Sequence, residues 1–296
     1  AVQHQHQGLA FGGFDQASEL AFVPGLRGRI ARHRALVAQG ATDAIQRHHV
    51  VQRGQAHPPM VFAHGFGCDQ QMWRFVAPAF EASHRVVLFD HIGCGKSDLS
   101  AYDAQRHSRL EGYADDVVAL LDALDLRDVV FVGHSVSAVI GVLASIARPE
   151  RFAQLVLVGP SPRYLNDPDT GYTGGFERAD IDGLIDMMDT NLLGWADFLA
   201  PAVMGADSPA ELTDELRASF CAADPAINRR FALATFLGDN RADLARVTVP
   251  TLILQCAHDA IAPCAVGDNL HAQVPGSRLQ VLDVAGHCPH LTHPQL

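Results

Sequence analysis

The sequence predicts an α/β fold, a mostly parallel β-sheet with helices on both faces. From about residue 41 onward, short apolar runs alternate with amphipathic stretches. Strands separated by helices pair in parallel, because each helix carries the chain back across the sheet. The apolar side chains of residues 110–125 recur with the 3.6-residue period of a core-facing helix. We expect strands near 59–63, 86–89, 129–133, 155–158, 251–256 and 279–284, and helices near 70–80, 110–125, 136–148 and 263–274.

Between about residues 161 and 240 the alternation stops, and only helical runs are evident, near 177–193, 209–222 and 225–237. A helical insertion between sheet strands lies over their carboxyl edge, so this segment is expected to be a lid. Residues 41–160 and 241–296 would then form the core. The lid's large apolar side chains should form its own core and part of a pocket wall: Met187, Met188, Leu192, Leu193, Trp195, Phe198 and Phe236.

Both ends of the chain depart from this organisation. Residues 1–40 show no strand alternation and are rich in Gly, Gln and His near their start, so we expect a disordered extension. Few residues follow His287, and the helix that commonly ends a fold of this kind is expected to be missing.

Composition excludes several classes of protein. The formal net charge of −11 argues against a nucleic-acid-binding face. No apolar run approaches the length of about 20 residues that spans a bilayer, and the first residues lack the layout of a signal peptide. Six cysteines without paired spacing are expected to be mostly reduced and buried. A cytoplasmic protein is the expectation.

A serine lies at a strand-to-helix corner. Gly133-His134-Ser135-Val136-Ser137 follows the apolar run 129–132 and precedes the helix-like run 138–144. This G-x-S-x-G-like turn is the nucleophile elbow of α/β-hydrolases, which pushes the serine hydroxyl out of the packed sheet. Ser137 stands where the pattern has glycine. We expect its side chain to add modest strain, so that Ser137→Gly would raise stability or turnover.

A carboxylate and an imidazole follow in the chain order that this fold uses. Asp259 comes just after the strand near 251–256, and His287 just after the strand near 279–284. A serine hydroxyl is a poor nucleophile until an imidazole removes its proton, and a carboxylate orients that imidazole. Ser135, Asp259 and His287 are therefore the predicted catalytic triad.

Two backbone N–H groups are the predicted oxyanion hole. The strand near 59–63 leads into His64-Gly65-Phe66-Gly67, a loop placed to donate one N–H, and the residue after the nucleophile donates the other. We assign these donors to Phe66 and Val136. His134, Trp195 and Phe198 are the candidate pocket residues.

No cofactor or metal ion is expected. The densest histidine cluster, His287-Cys288-Pro289-His290 with His293, lacks a second cluster with ligand spacing, so loop residues around a catalytic histidine are the favoured interpretation. The Gly93-x-Gly95-Lys96-Ser97 segment lacks phosphate-loop spacing and is read as a tight surface turn.

From about residue 41 to the end, the chain resembles the small α/β-hydrolases of the RsbQ type, a bacterial stress-response regulator, and the related plant strigolactone and karrikin receptors. The matching segments are His64–Gln70 with Trp73, His84–Asp90, Gly133–Val136, Val158–Asp167 and Gly286–His290. The resemblance implies a four-helix lid over an apolar pocket and the same triad. It also implies signalling with a phosphatase that carries a sensory domain, through a small hydrophobic molecule.

The sequence is compatible with three functions. A serine hydrolase acting on a small apolar ester or related carbonyl compound leads. A ligand receptor with slow or no turnover, acting through a partner protein, comes second. A lyase using the same triad is third, although no lysine marks the pocket; a halogen-displacing enzyme is disfavoured because the elbow carries serine and not aspartate.

Overall fold

The computed structural model describes residues 38–296. Within the expected extension, residues 38–40 are helical together with 41–47, and the rest of that expectation lies outside the described residues. The described residues form one seven-stranded sheet. Its strands are β1 (Val51–Arg53), β2 (Pro59–Ala63), β3 (Arg85–Phe89), β4 (Val129–His134), β5 (Phe152–Val158), β6 (Thr251–His258) and β7 (Arg278–Ala285).

The strand order is β1-β3-β2-β4-β5-β6-β7, and every neighbouring pair is parallel except β1 with β3. This confirms the predicted fold class. At the carboxyl ends, Ala63 pairs with Gly133 and His134 pairs with Val158. The segments that follow β2, β4 and β5 therefore emerge side by side, which is where open parallel sheets place their sites. The edge strand β1 was not predicted from the sequence, because it has only three residues and two of them are exposed.

After the helical residues 38–47, the α-helices are α1 (Leu110–Ala123), α2 (Val136–Ala147), α3 (Arg178–Thr190), α4 (Leu192–Met204), α5 (Ala210–Ala222), α6 (Pro225–Phe236), α7 (Cys264–Gln273) and α8 (Pro289–Thr292). Helix α2 is buried along most of its length, which explains its nearly all-apolar sequence. In the part of the chain that the structure describes, none of the helices has the length and apolarity needed to cross a bilayer.

Helices α3 to α6 occupy the interval between β5 and β6, where the sequence predicted three helical runs. The run expected at 177–193 is in fact the whole of α3 plus the start of α4. Asn191 separates them, with an extended φ of −151° and a side-chain oxygen that accepts from the N–H of Gly194. Helix α4 was missed because its internal Pro201 reads as a helix breaker.

The helix expected near 70–80 is two short 3-10 segments, Gln70–Trp73 and Ala77–Phe80. The Asp69 carboxylate caps the first by accepting from the N–H of Gln71 at 2.7 Å. Pro78 lies in the first turn of the second, and because proline has no N–H it cannot continue a helical ladder from the preceding turn. The break keeps each helical segment short.

Candidate active site

Ser135 stands on a strained turn between β4 and α2. Its φ of 56° and ψ of −121° place a non-glycine residue in the left-handed half of conformational space, and its N–H donates to the Val158 carbonyl at 2.8 Å. Close packing of strand on helix leaves no room for a side chain at Gly133, where a Cβ would lie 2.4 Å from the Ser137 carbonyl oxygen. The hydroxyl of Ser135 is thereby held above the sheet edge, within hydrogen-bond distance of residues from two other segments, Tyr164 and His287.

The three residues of the predicted triad are brought into one hydrogen-bonded line. Ser135 Oγ lies 2.8 Å from His287 Nε2, and His287 Nδ1 lies 2.7 Å from Asp259 Oδ2. The other carboxylate oxygen of Asp259 accepts from the N–H groups of Ile261 and Ala262 at 2.8 and 3.0 Å. With Nδ1–H donated to the carboxylate, Nε2 is free to accept the serine proton. This is the geometry that general-base activation of a serine requires.

The two predicted oxyanion donors both lie beside Ser135. Val136 is the first residue of α2, so its N–H has no acceptor inside the helix. Phe66 lines the cavity over Ser135, and among the described residues its N–H has no hydrogen-bond acceptor. Helix α2 also directs the positive end of its dipole at this point. Both groups are thus available to a developing negative charge.

Tyr164 is a site residue to which the sequence assigned no role. Its hydroxyl lies 3.2 Å from Ser135 Oγ, and its ring is buried against Phe236. Burial raises the pKa of this hydroxyl, so it stays protonated. Because Ser135 directs its own proton to His287, the phenol is the donor and Ser135 Oγ the acceptor. The signal that could have found it is its position six residues beyond the end of β5, next to the nucleophile's strand.

A small apolar cavity of about 30 Å³ lies over Ser135. Its wall includes Phe66, Leu216, Phe220 and Phe236, together with His134, which was predicted as a pocket residue. The volume matches roughly one water molecule. A substrate would therefore require the aromatic side chains of the wall to move apart.

The other two predicted pocket residues do not line the cavity. Phe198 is 60% exposed, because α4 turns residues 195, 199 and 203 inward and leaves residue 198 on the opposite face. Trp195 is buried, but it packs behind the cavity wall, 5.0 Å from the Phe220 ring and 6.3 Å from the Phe66 ring. Met187 and Leu193, expected in the lid core, are likewise exposed at 37% and 67%.

Ser137 is hydrogen-bonded where strain was expected. Its hydroxyl donates to the His64 carbonyl oxygen through a short contact and accepts from His91 Nε2 at 2.7 Å. The backbone N–H of His91 in turn donates to His64 Nε2 at 3.0 Å. All three residues are buried. The side chain thus joins the segments after β2 and β3 to α2. Because Ser137→Gly would lose both hydrogen bonds, we expect it to lower stability, which reverses the expectation from the sequence.

Burial sets the protonation of the groups around the site. It lowers the pKa of His134 well below the ordinary value of histidine, with His290 and His287 adding to the shift. It raises the pKa of the Cys68 thiol to about 12 and that of the Cys288 thiol well above its ordinary value. Both thiols line the cavity. Since the thiolate is the reactive form, neither competes with Ser135 as a nucleophile at neutral pH.

The sheet, the turn that carries Ser135 and the line to His287 and Asp259 define a protein of the α/β-hydrolase class. The chain belongs to the alpha/beta hydrolase family, which it matches over residues 60–296.

Its relatives include both receptors and esterases. It is 40% identical over 250 residues to the karrikin insensitive 2 receptor CA of Petunia hybrida, covering 84% of this chain and 92% of the receptor. It is 38% identical over 254 residues to the strigolactone esterase RMS3 of Pisum sativum, covering 86% and 94%. Among solved structures, a hydrolase from Oleispira antarctica shares 43% identity with a TM-score of 0.85, covering 86% of this chain and 93% of that one.

Proposed function

We propose that this protein is a serine hydrolase that acts on a small hydrophobic ester or related carbonyl compound. The observation that carries the proposal is the unbroken line from Ser135 Oγ through His287 to Asp259, with separations of 2.8 and 2.7 Å. Esterases and hydrolases among its relatives support the reaction class. The apolar cavity wall favours a substrate without charge.

In the proposed mechanism, Ser135 Oγ attacks the substrate carbonyl carbon while its proton passes to His287 Nε2. Asp259 stabilises the imidazolium that forms, and the N–H groups of Phe66 and Val136 stabilise the oxyanion. The imidazolium then protonates the leaving alcohol. Water, activated by His287, attacks the acyl-Ser135 ester and regenerates the serine. Tyr164 donates to Ser135 Oγ in the resting state and keeps it aimed between its two partners.

Helices α3 to α6 are proposed to act as a lid. Helices α4, α5 and α6 supply the residues that close the cavity from above, Leu199, Val203, Leu216, Phe220 and Phe236. With a cavity of about 30 Å³, the structure corresponds to a closed state, and binding would require these helices to separate from the loop that carries Phe66.

The proposed reaction is tested with p-nitrophenyl esters of increasing acyl length. Wild-type protein should hydrolyse acetate and butyrate esters faster than long-chain ones, because a short acyl chain requires the aromatic side chains of the cavity wall to move apart less. Ser135→Ala should abolish turnover, and Asp259→Asn should lower kcat by roughly 10⁴-fold, since the imidazole loses its orienting partner. The exposed Ser100→Ala is the matched control. Hydrolysis that survives Ser135→Ala would refute the mechanism.

A second candidate is a ligand receptor in which hydrolysis is slow or absent and the output is binding to a partner. The similarity to a karrikin receptor favours it, as does the closed cavity, because release of product would be limited by lid opening. As the RsbQ-type resemblance implies, the partner would be a phosphatase with a sensory domain, and the setting cytoplasmic stress signalling. Release of about one product per chain with no sustained hydrolysis afterwards, together with ligand-dependent binding of a partner, would favour the receptor, whereas sustained turnover would favour the hydrolase.

A further inference from the structure

Three potential metal ligands converge directly behind the catalytic histidine. His134 is the last residue of β4, and Cys288 and His290 follow His287. One ligand atom from each lies within 4.8 Å of the others, and all three side chains are buried. The sequence alone could not show this cluster, because His134 is separated from the other two by some 150 residues and reaches them only through the sheet.

His290 has no hydrogen-bond partner for either ring nitrogen among the described residues, although it is only 5% exposed. Its ring lies 4.4 Å from the Trp73 ring and 4.5 Å from that of His134. A phenylalanine would pack equally well there without burying two polar atoms, and such atoms are costly when unpaired. His134 presents Nε2 to this cluster, 3.9 Å from Cys288 Sγ, while its unpartnered Nδ1 faces Gly65. The two unpartnered nitrogens of His290 are the observation that indicates a ligand.

We propose that His134, Cys288 and His290 bind a borderline-soft cation, with Zn²⁺ as the best fit. Two imidazoles and one thiolate are a Zn²⁺ ligand set, and the absence of a carboxylate or carbonyl among the three argues against Ca²⁺ or Mg²⁺. On binding, the Cys288 S–H bond breaks, its proton leaves to solvent and an S–Zn bond forms. His134 binds through Nε2, and the proton that this nitrogen carries moves through solvent to Nδ1, so that the ring stays neutral. The ligand atoms must close in by roughly 1 Å, and water completes the tetrahedral coordination from the cavity that Cys288 and His134 line.

The site would suppress hydrolysis, a consequence that rests on the proposed function. A bound Zn²⁺ with one thiolate adds a net positive charge next to His134, whose ring lies 4.9 Å from that of His287. This charge opposes the imidazolium that forms on His287 during attack. Two charges separated by roughly 5–10 Å at an effective dielectric constant of about 20 still repel each other enough to slow the reaction roughly tenfold or more. His134 Nε2 also donates to the His287 carbonyl at 2.9 Å, so ligation through that atom would free the backbone of the catalytic residue.

Binding is tested with Co²⁺, which replaces Zn²⁺ and absorbs visible light. Metal-free full-length protein should bind one Co²⁺ with a thiolate-to-metal charge-transfer band and intense tetrahedral bands, and Zn²⁺ should displace it. His290→Phe, which keeps the packing on Trp73, and Cys288→Ser should both lose this spectrum. Cys264→Ser and His293→Asn are the matched controls and should keep it. No spectrum in the wild type, or an unchanged one in His290→Phe, would overturn the proposal.

Inhibition by the metal is measured separately, as the ratio of the rate of ester hydrolysis with a chelator to the rate with Zn²⁺. The ratio should be roughly tenfold or more for wild type and close to one for His290→Phe. An equal ratio in both proteins would refute the regulatory step. If the metal-free protein hydrolyses nothing, the proposed function fails, but the Co²⁺ spectrum still decides whether the site exists.

Discussion

Replacing Ser137 removes the hydroxyl that joins α2 to two neighbouring loops. In Ser137→Ala, the carbonyl of His64 loses a donor and Nε2–H of His91 loses an acceptor, both in surroundings that are closed to water. Each buried group left unpaired costs about 1–3 kcal/mol, although small rearrangements recover part of this. The higher helix propensity of alanine offsets this loss of unfolding free energy by a few tenths of a kcal/mol. We expect a net loss of about 2 kcal/mol, and about 3 kcal/mol for Ser137→Gly.

The assay is urea unfolding followed by circular dichroism, with Ser145→Ala as the matched control. Ser145 lies on the same helix and is as deeply buried, but its hydroxyl donates only to the Val142 carbonyl within the helix. Its replacement should cost under about 1 kcal/mol. In a His91→Phe background the cost of Ser137→Ala should shrink, because one of its two partners is already gone. Equal or higher stability of Ser137→Ala relative to wild type would refute the hydrogen-bond account.

The remaining predictions concern the nucleophile, the oxyanion loop and acid stability. Tyr164→Phe removes the donor 3.2 Å from Ser135 Oγ and should slow acylation roughly 3- to 10-fold with little change in unfolding free energy; an unchanged burst rate would refute a positioning role. Gly65→Ala places a Cβ 2.5 Å from His134 Nδ1, so the loop that carries the Phe66 N–H must shift and kcat should fall. Gly183→Ala, whose Cβ would meet nothing within 4 Å, is the control and should leave kcat unchanged. Burial lowers the pKa of His64 and of His91 below 6.5. On lowering the pH, these two histidines therefore bind protons in the unfolded chain before they do so in the folded chain. The contribution of these two neutral histidines to the free energy of unfolding is fully present above about pH 6.5. It should fall as the pH drops, by up to about 1.4 kcal/mol per pH unit for each histidine. His91→Phe should show a shallower fall in urea unfolding at pH 7.5, 6.5 and 5.5; an identical slope would contradict this assignment.

The parallel sheet and the close approach of Ser135, Asp259 and His287 could be predicted because they depend on local signals. Apolar runs mark the strands, and Ser135, Asp259 and His287 each follow the end of one. In a parallel sheet those ends share an edge, so sequence order becomes spatial proximity without any knowledge of side-chain packing.

What could not be predicted depends on contacts between distant segments. Phe198 was placed in the pocket because its residue type fits, yet the phase of α4 turns it outward. Ser137 was expected to be strained because glycine is usual there, yet two partners from other loops satisfy its hydroxyl. Tyr164 carries no local signature of its role. In each case the outcome depends on which side chain of another element lies opposite. The periodicity of the sequence contains no information about such contacts.

The intact mass of the protein after treatment with a fluorophosphonate tests most directly whether Ser135 is an activated nucleophile. We expect one adduct on wild-type protein and none on Ser135→Ala, with slower labelling of Asp259→Asn because His287 loses its orienting partner. Folded wild-type protein that takes up no adduct, or an adduct that persists in Ser135→Ala, would contradict the assignment of Ser135 as the activated nucleophile.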